Sequence, residues 1–248
     1  MAGSTPKCGV PHFAMHRTLH AIKPESDMIS APTGFMIDGT KFTRTWAMPN
    51  ADTMEIVPIR HLVMRYTQPN TESVDLFARN CRIAKWRNDL NPDTLAEHHM
   101  HALDFLQMVQ SKVAADLVLF DPPYSPFQTK MCYQGIGLDM KYGDDARHGW
   151  SKVRKSIASL VRVGGIVISF GWDTIGVGST GFDIVEILCV CHGIGHNDTL
   201  CLVQRKVSEQ TSFLGALGAV ESGLTACNNR MAQGDKPTLP EEPATSPC

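Results

Sequence analysis

The sequence predicts a doubly wound α/β domain with a mainly parallel sheet of seven strands, the last of them antiparallel. Three observations support this prediction. Short apolar runs alternate with helix-like stretches between residues 71 and 206. Residues 115–120 and 166–170 have the length and composition of buried strands. The last two apolar runs are joined by a short segment with two glycines, which favours an antiparallel hairpin.

The elements follow in order along the chain. Ser73–Phe77 is a short apolar run and predicts the first strand, and Ile83–Arg87 predicts a weaker second strand. Asp93–His99 is predicted to be helical, because Pro92 stands where a helix start tolerates a missing N–H group. Ala115–Phe120 then predicts a buried strand that ends at a run of prolines.

The second half of the domain continues the alternation. Ser151–Val163 has amphipathic spacing and predicts a helix that ends at a Gly164–Gly165 cap. Ile166–Phe170 predicts the next buried strand. Phe182–Val190 and Thr199–Val203 predict the closing hairpin. We therefore expect an N-terminal extension at 1–41, a catalytic domain at 42–206 and a disordered tail at 207–248.

Composition and charge exclude several classes of protein. The chain has 248 residues, 43% of them apolar, and a formal net charge of −2. No segment has the roughly 20 apolar residues of a membrane span, and no apolar signal-peptide core follows the first methionine. The eight cysteines form no paired CxxC modules. These features predict a cytoplasmic protein with reduced thiols. Because the net charge is small, any contact with nucleic acid must come from a local patch of positive charge.

Ligands of such a sheet bind beyond the carboxyl ends of its strands. Asp104-Phe105 falls where a further strand, the third along the chain, would end. The acids Asp89, Asp104 and Asp121 are therefore expected at that edge, together with the aromatic Tyr124. Asp121-Pro122-Pro123-Tyr124, directly after a buried strand, is the most specific feature of the chain.

The chemistry of this motif suits a planar exocyclic amine, whose lone pair is delocalised into its ring. The Asp121 carboxylate and the Pro122 carbonyl can each accept a hydrogen bond from the amine and so direct its lone pair. Proline holds φ near −65°, and Pro123 therefore helps to make the loop rigid. Tyr124 offers a flat face for a base that has left its stack. The motif taken alone could still form only a turn.

The segment "LVLFDPPYS" resembles motif IV of the class I S-adenosylmethionine (SAM)-dependent DNA amino-methyltransferases, in the form typical of N6-adenine enzymes. "FTRTWAMPNADT" (42–53), "VDLFARN" (74–80), "NDLNP" (88–92) and "HALDF" (101–105) resemble motifs X, I, II and III of that family, and the set is similar to DNA adenine methylases of phages and prophages. The resemblance implies the Rossmann-like class I methyltransferase fold, SAM as cofactor and DNA as partner.

The resemblance also implies a role for individual residues. Motif II implies that Asp89 binds the ribose hydroxyls of SAM, and motif III implies that Asp104 contacts its adenine amine. The full set of cofactor-binding residues that it implies is Trp46, Met48, Pro49, Asp75, Phe77, Ala78, Asn80, Asp89, Leu90, Asn91, Asp104, Phe105 and Asp121. The implied catalytic residues are Asp121, Pro122, Pro123 and Tyr124.

Motif I departs from the family pattern, Phe-x-Gly-x-Gly, because Phe77-Ala78-Arg79-Asn80-Cys81 contains no glycine. Glycines at these positions let the backbone approach the cofactor closely. Arg79 could instead pair with a carboxylate, or it could block the pocket and leave an inactive, nucleic-acid-binding protein. N4-cytosine in DNA and adenine in RNA are the alternative substrates.

Residues 125–150 form a long segment after the catalytic motif, in which basic and aromatic residues are interleaved. This pattern favours phosphate contact and base stacking, and a lid over the cofactor is the alternative. The candidate DNA-binding residues are Lys130, Tyr133, Lys141, Tyr142, Arg147 and His148.

Two groups of cysteine and histidine residues bear on metal binding. Cys8, His12, His16 and His20 recur every four residues, but Pro11 disturbs the pattern. Cys189 and Cys191 face the same side of a predicted strand, where cysteines that only fill space are more common than a zinc site. We therefore expect no metal.

Overall fold

A computed structural model describes residues 33–140 and 150–209 of the chain. Its strands are β1 (Thr33–Ile37), β2 (Thr40–Trp46), β3 (Ser73–Asp75), β4 (Trp86–Arg87), β5 (Ala115–Phe120), β6 (Val161–Gly171), β7 (Phe182–Cys191) and β8 (Thr199–Lys206). Its helices are α1 (Val57–Tyr66), α2 (Ala102–Gln110), α3 (Pro126–Gly135) and α4 (Ser151–Leu160), with a 3-10 turn at Thr53–Glu55.

All of these strands belong to one sheet, in the order β1-β2-β7-β8-β6-β5-β3-β4. Six strands run in the same direction, whereas β1 and β8 are antiparallel to their neighbours. The structure thus confirms a doubly wound, mainly parallel α/β sheet with an antiparallel last strand. The predicted number of strands was wrong: the described residues form eight, because β1 and β2 add a hairpin beside β7 and the strand expected to end at Asp104 is replaced by helix α2.

Helices cover both faces of the sheet. α2 and α4 pack on one face, where Phe105, Val153 and Ile157 are fully buried. α1 packs on the other face through Ile59 and Leu62. None of the helices in the described part of the chain is both long and apolar enough to cross a lipid bilayer.

The predicted helix at Asp93–His99 is wrong, since this segment is irregular and lies against β4. The His98 N–H donates to the Arg87 carbonyl at 3.1 Å, and the Asp89 N–H donates to the His98 carbonyl at 3.0 Å. These bonds hold the segment in an extended bridge and leave no i to i−4 ladder for a helix.

Two further predictions change at the segments that flank α4. Residues 125–150 are not a loop throughout, because Ser125 caps α3 and Pro126 starts it. The predicted glycine cap is also wrong: α4 ends at Leu160, and Gly164 and Gly165 lie inside β6. There they allow a register shift against β5, and a Cβ on Gly165 would lie 2.7 Å from a methyl carbon of Val161.

Candidate active site

Loops from several parallel strands meet at one edge of the sheet. β3 ends at Asp75, β4 is followed by Asn88 and Asp89, and β5 is followed directly by Asp121. These strands are neighbours and run in the same direction, so their carboxyl ends lie side by side. The expected convergence of acidic residues is therefore found for Asp89 and Asp121, with Asp75 between them in the order of the strands.

The Asp-Pro-Pro-Tyr loop is held from two sides. The Tyr124 hydroxyl donates to Asp121 Oδ1 at 2.7 Å, and the Tyr124 N–H donates to Gln128 Oε1 of α3, also at 2.7 Å. The Trp150 indole N–H donates to the Pro123 carbonyl at 3.4 Å. The second proline carbonyl is therefore engaged by Trp150, and the loop is anchored to the starts of both α3 and α4.

Burial dominates the electrostatics of this pair of residues. It raises the pKa of Asp121 above its usual range, while the Tyr124 and Thr53 side chains and the Arg79 charge act to lower that pKa. Burial and the adjacent Asp121 raise the pKa of Tyr124, so the phenol stays protonated and donates. A carboxylate accepts about four hydrogen bonds. Asp121 therefore keeps the capacity to accept one from a ligand.

Asp75 is 2% exposed and accepts a 3.1 Å hydrogen bond from the Phe77 N–H. Burial raises the pKa of Asp75 to about 8; the bond from Phe77 acts to lower it, and the negative charges of Asp121 and Asp89 raise it further. At neutral pH the Asp75 carboxyl is therefore mainly protonated, and it can donate as well as accept a hydrogen bond.

The loop after β3 adopts the conformation that glycine favours, although it has no glycine. Arg79, at the first glycine position of the family pattern, has φ +46°, in the left-handed region. Its N–H donates to Asp89 Oδ2 at 3.1 Å. Its guanidinium donates to the Ala51 carbonyl at 2.6 Å and lies 3.0 Å from Asp52 Oδ1. Arg79 thus connects the loop after β3 to the segment after β2.

Asn88 organises the loop that carries Asp89. It is 1% exposed, and its amide donates to the carbonyls of Leu76 and Met100 at 3.1 and 3.0 Å. Its side-chain oxygen accepts the Met100 N–H at 3.1 Å. Asp89 Oδ1 in turn accepts the Asn91 N–H at 2.9 Å. These bonds fix the position of the Asp89 carboxylate relative to β3.

In the described part of the chain, three cavities at this edge are lined by Asp75, Asp89 or Asp121, and each takes its name from one residue of its lining. The Asp89 cavity is mainly apolar and is lined by Leu76, Phe77, Asn88, Asp89, Leu90, Asn91, Met100, His101, Ala102, Pro123, Cys132, Tyr133, Ile136 and Trp150. The Arg79 cavity lies between the loop after β3 and the 3-10 turn, and its lining includes Asp52, Glu55, Asp75, Ala78, Asn80 and Asp121. The Asp121 cavity has a volume of about 660 Å³, and its lining includes Pro49, Thr53, Arg79, Pro122, Tyr124, Trp172, His192, His196 and Asn197.

Four of the predicted cofactor-binding residues, namely Trp46, Met48, Asp104 and Phe105, do not line these cavities. Asp104 does not follow a strand: it lies exposed in the first turn of α2, and Phe105 is fully buried in the core. The expected strand end at Asp104 is wrong, because the segment around it forms a helix that His101 caps. Trp46 and Met48 are 60% and 66% exposed.

The candidate DNA-binding residues separate into three groups. Lys130 is exposed on α3. Tyr133 is 8% exposed and lines the Asp89 cavity beneath that helix. Lys141, Tyr142, Arg147 and His148 lie outside the described residues, as do Cys8, His12, His16 and His20.

Sequence reasoning missed four residues of this edge, namely Thr53, Asn88, Trp172 and His192. Asn88, Trp172 and His192 follow strands directly, and that position is a signal in the sequence. His192 is 5% exposed; its ring nitrogens bond to the Ala47 carbonyl at 2.8 Å and to the Thr199 hydroxyl at 2.9 Å. Those partners are distant in the chain, so only the folded structure identifies this contact.

No protein-family model matches the chain, and no curated protein matches it. Among solved structures, SMU.776, assigned as a methyltransferase and complexed with SAH, has a TM-score of 0.43 and 10% identity over 72% of this chain and 57% of its own. NSun6 from Pyrococcus horikoshii with SFG has a TM-score of 0.36 and 12% identity, over 56% of this chain and 48% of its own. A protein from Streptococcus mutans assigned as a SAM-dependent methyltransferase has a TM-score of 0.42 and 11% identity, over 70% of this chain and 55% of its own. The chain spans about half the length of these solved chains.

Proposed function

We propose that the protein transfers a methyl group from SAM to the N6 amine of adenine in DNA. One observation carries this proposal. Asp121-Pro122-Pro123-Tyr124 stands at the carboxyl end of the buried parallel strand β5, in the wall of a cavity of about 660 Å³. Asp121 also lines the neighbouring Arg79 cavity, so the motif borders both spaces in which the two reactants would meet.

The residues at the edge fit the parts of SAM. The Asp89 cavity offers apolar walls for an adenine ring, and Asp89 offers a carboxylate for ribose hydroxyls. The Arg79 cavity offers acids for an amino group and one guanidinium for a carboxylate. SAM, when bound, supplies a methyl group on a positively charged sulfur. As the new N–CH₃ bond forms, the S–CH₃ bond breaks and the sulfur becomes that of a neutral thioether.

The protein's own groups act on the amine. The Asp121 carboxylate and the Pro122 carbonyl each accept a hydrogen bond from one N–H of the amine. The nitrogen lone pair is thereby drawn out of conjugation with the ring and directed toward the methyl group. These acceptors are held in place before the reaction by the bonds to Tyr124, Gln128 and Trp150, and such preorganisation is the main electrostatic source of catalysis. After transfer the positively charged nitrogen loses one proton to water.

DNA as the substrate rests on the aromatic lining of the Asp121 cavity. A base inside a duplex cannot present its amine to a buried carboxylate and must leave the stack. Tyr124 and Trp172 contact each other edge to face, with ring centroids 5.7 Å apart, and both line this cavity. They provide flat surfaces for an extruded base, and the exposed Phe127 and Met131 lie at the same cavity.

The test is incubation of the purified protein with methyl-labelled SAM and unmethylated duplex DNA, followed by digestion and nucleoside chromatography. We expect label in N6-methyldeoxyadenosine. Asp121→Ala should lower the rate by about a hundred- to a thousandfold, the usual effect of removing one preorganised hydrogen-bonding group. Asp183→Ala is the matched control, because Asp183 is an exposed acid of β7 and lines none of the three cavities.

The other outcomes separate the alternatives. Label in N4-methyldeoxycytidine would keep the mechanism and change the base. Label in RNA but not in DNA would keep the base and change the polymer. Absence of label, together with no SAH binding by calorimetry, would refute the enzymatic proposal and favour a methyltransferase-like protein without activity.

A further inference from the structure

Three metal-ligand side chains converge beside the turn that joins β7 to β8. They are Cys189 and Cys191 of β7 and Asp198 of the turn, and their ligand atoms all lie within 4.8 Å of one another. The two Sγ atoms are 3.9 Å apart. This group lines none of the three cavities and has no part in the proposed methyl transfer.

Local structure explains the convergence. Cys189 and Cys191 alternate along a strand and therefore point to the same face of the sheet. The turn brings Asp198 back toward them, because its Oδ1 accepts the His192 N–H at 3.2 Å. The three side chains are thus held together by a strand and by a hydrogen-bonded turn, and not only by chance contact of flexible groups.

The distances suit a tetrahedral zinc ion. With Zn–S bonds of about 2.3 Å, two thiolates on one tetrahedral ion lie about 3.8 Å apart. The observed sulfur separation of 3.9 Å agrees with that value. Two cysteines and one aspartate provide three ligands of types that zinc accepts, and water can take the fourth position.

Arg44 supplies a second, independent observation. It pairs with Cys189 across β2 and β7, and its Nε–H donates to Cys191 Sγ at 3.1 Å. A cationic donor directed at sulfur stabilises a thiolate, and hydrogen bonds to metal ligands commonly support metal sites. Two thiolates, one carboxylate, one divalent ion and one guanidinium together carry no net charge.

The alternative is a pair of protonated thiols that share an S–H···S contact. Burial and the neighbouring Cys191 raise the pKa of the Cys189 thiol to about 11, so without a cation this thiol keeps its proton at neutral pH. Zinc binding would release the thiol protons to the solvent. A metal titration therefore separates the two states directly.

We propose that Cys189, Cys191 and Asp198 bind one zinc ion, which ties the turn after β7 to the strand. The consequence concerns the site already described, because His192, Gly195, His196 and Asn197 of this turn form one wall of the Asp121 cavity. The ion would hold that wall in place without contact with the reacting groups.

The experiment uses the full-length, untagged, reduced protein after treatment with a chelator. It is titrated with Co²⁺, whose thiolate complexes have a charge-transfer absorption band, and then with Zn²⁺ in competition with a coloured chelator. We expect one equivalent of either ion. Cys189→Ser and Cys191→Ser should each remove the band, and Asp198→Asn should weaken zinc binding by about tenfold or more.

Asp183→Asn is the matched control for Asp198→Asn, since Asp183 is an exposed acid of strand β7, lies outside the group of ligands and is expected to leave metal binding unchanged. Circular dichroism and the Tm of each metal-free variant show that it folds. Absence of stoichiometric binding by the wild-type protein, or full binding by Cys189→Ser, would overturn the site. Equal hydrogen exchange of residues 192–198 with and without zinc would overturn its structural role.

Discussion

The Tyr124 hydroxyl donates a 2.7 Å hydrogen bond to Asp121 Oδ1. Sequence reasoning assigned these residues separate roles, one as a stacking surface and one as an acceptor. The bond connects the roles, because the group that offers a face to the base also stabilises the ionised form of the carboxylate. Substitutions at Tyr124 should therefore change both the pH dependence of the reaction and the binding of substrate.

Tyr124→Phe keeps the ring and removes the hydroxyl. The proposed reaction requires ionised Asp121, so activity should fall as the pH decreases through the pKa of that residue. Burial raises this pKa and the Tyr124 bond lowers it, so loss of the bond should raise it further and move the acid limb of the kcat/KM profile to higher pH. An unchanged acid limb would show that the hydroxyl does not control the carboxylate.

Tyr124→Ala also removes the ring. Loss of base stacking should cost about 1–3 kcal/mol in substrate binding, which appears as a higher KM for the oligonucleotide. Comparison with Tyr124→Phe in the same assay separates stacking from the hydrogen bond. If both variants show the same KM, stacking on Tyr124 does not contribute.

Arg79→Gly tests the departure from the family pattern. Glycine accepts the φ of +46° without strain, so the loop should keep its conformation. Among the described residues Arg79 is the only base that lines this cavity, and the acids in its lining are Asp52, Glu55, Asp75 and Asp121. We therefore expect SAH to bind about five- to tenfold more weakly, since a single charge-assisted hydrogen bond in a partly exposed site is lost.

Calorimetry with 5′-methylthioadenosine, which has no amino acid end, provides the control for Arg79→Gly. Its affinity should stay the same in the variant. Tighter SAH binding by Arg79→Gly would instead show that the guanidinium obstructs the cavity. The interpretation of Arg79 as a carboxylate partner would then be abandoned.

Asp75→Asn should alter how stability depends on pH. The pKa of Asp75 in the folded protein is about 8, above its value in an unfolded chain. The stability that its proton provides is therefore fully present below the unfolded pKa and is lost as the pH rises toward 8. The free energy of unfolding should fall by about 1.4 kcal/mol per pH unit from this group alone across that interval.

Urea unfolding between about pH 5 and 8 measures this slope, and Asp75→Asn should reduce it. The variant keeps a side-chain oxygen that can accept the Phe77 N–H. Asp183→Asn is the control, because that exposed acid should not affect the slope. A slope that is the same in wild type and Asp75→Asn would mean that Asp75 is ionised in the folded protein at neutral pH.

Trp172→Ala tests the second aromatic wall of the Asp121 cavity. Trp172 contacts Tyr124 edge to face and is 41% exposed, so its removal should leave the core intact. We expect the KM for duplex DNA to rise by about five- to a hundredfold, as for the loss of one stacking contact, with unchanged SAH affinity. A loss of SAH affinity of the same size would indicate damage to the fold of the site.

The elements that the sequence predicted well are those with a strong local signal. Ala115–Phe120 is a strand with the predicted bounds, and Phe182 and Thr199 begin the predicted hairpin strands. A continuous apolar run of this length, bounded by a turn signal, favours a strand buried on both faces, so its state depends little on distant residues. Asp121 follows such a run directly, and its place at the sheet edge was therefore predictable.

The failures occur where distant partners decide the local structure. Asp93–His99 has the composition of a helix, but the His98 backbone bonds to Arg87 and Asp89, and the residues before it form turns. Asp104 was expected at a strand end from the order of the predicted strands, whereas the burial of Phe105 and Val109 against the sheet makes its segment a helix. In both cases tertiary contacts outweigh a weak local preference.

The sequence by itself determined the class of fold and the place of Asp89 and Asp121 at the sheet edge, because these depend on apolar periodicity and on position after a strand. Only the tertiary structure decided that Tyr124 bonds to Asp121, that Arg79 reaches Ala51 across 28 positions of the chain, and that Cys191 meets Arg44. The physical reason is that side-chain contacts between strands and loops depend on register and rotamer, and neither of these is written in the local pattern of residues.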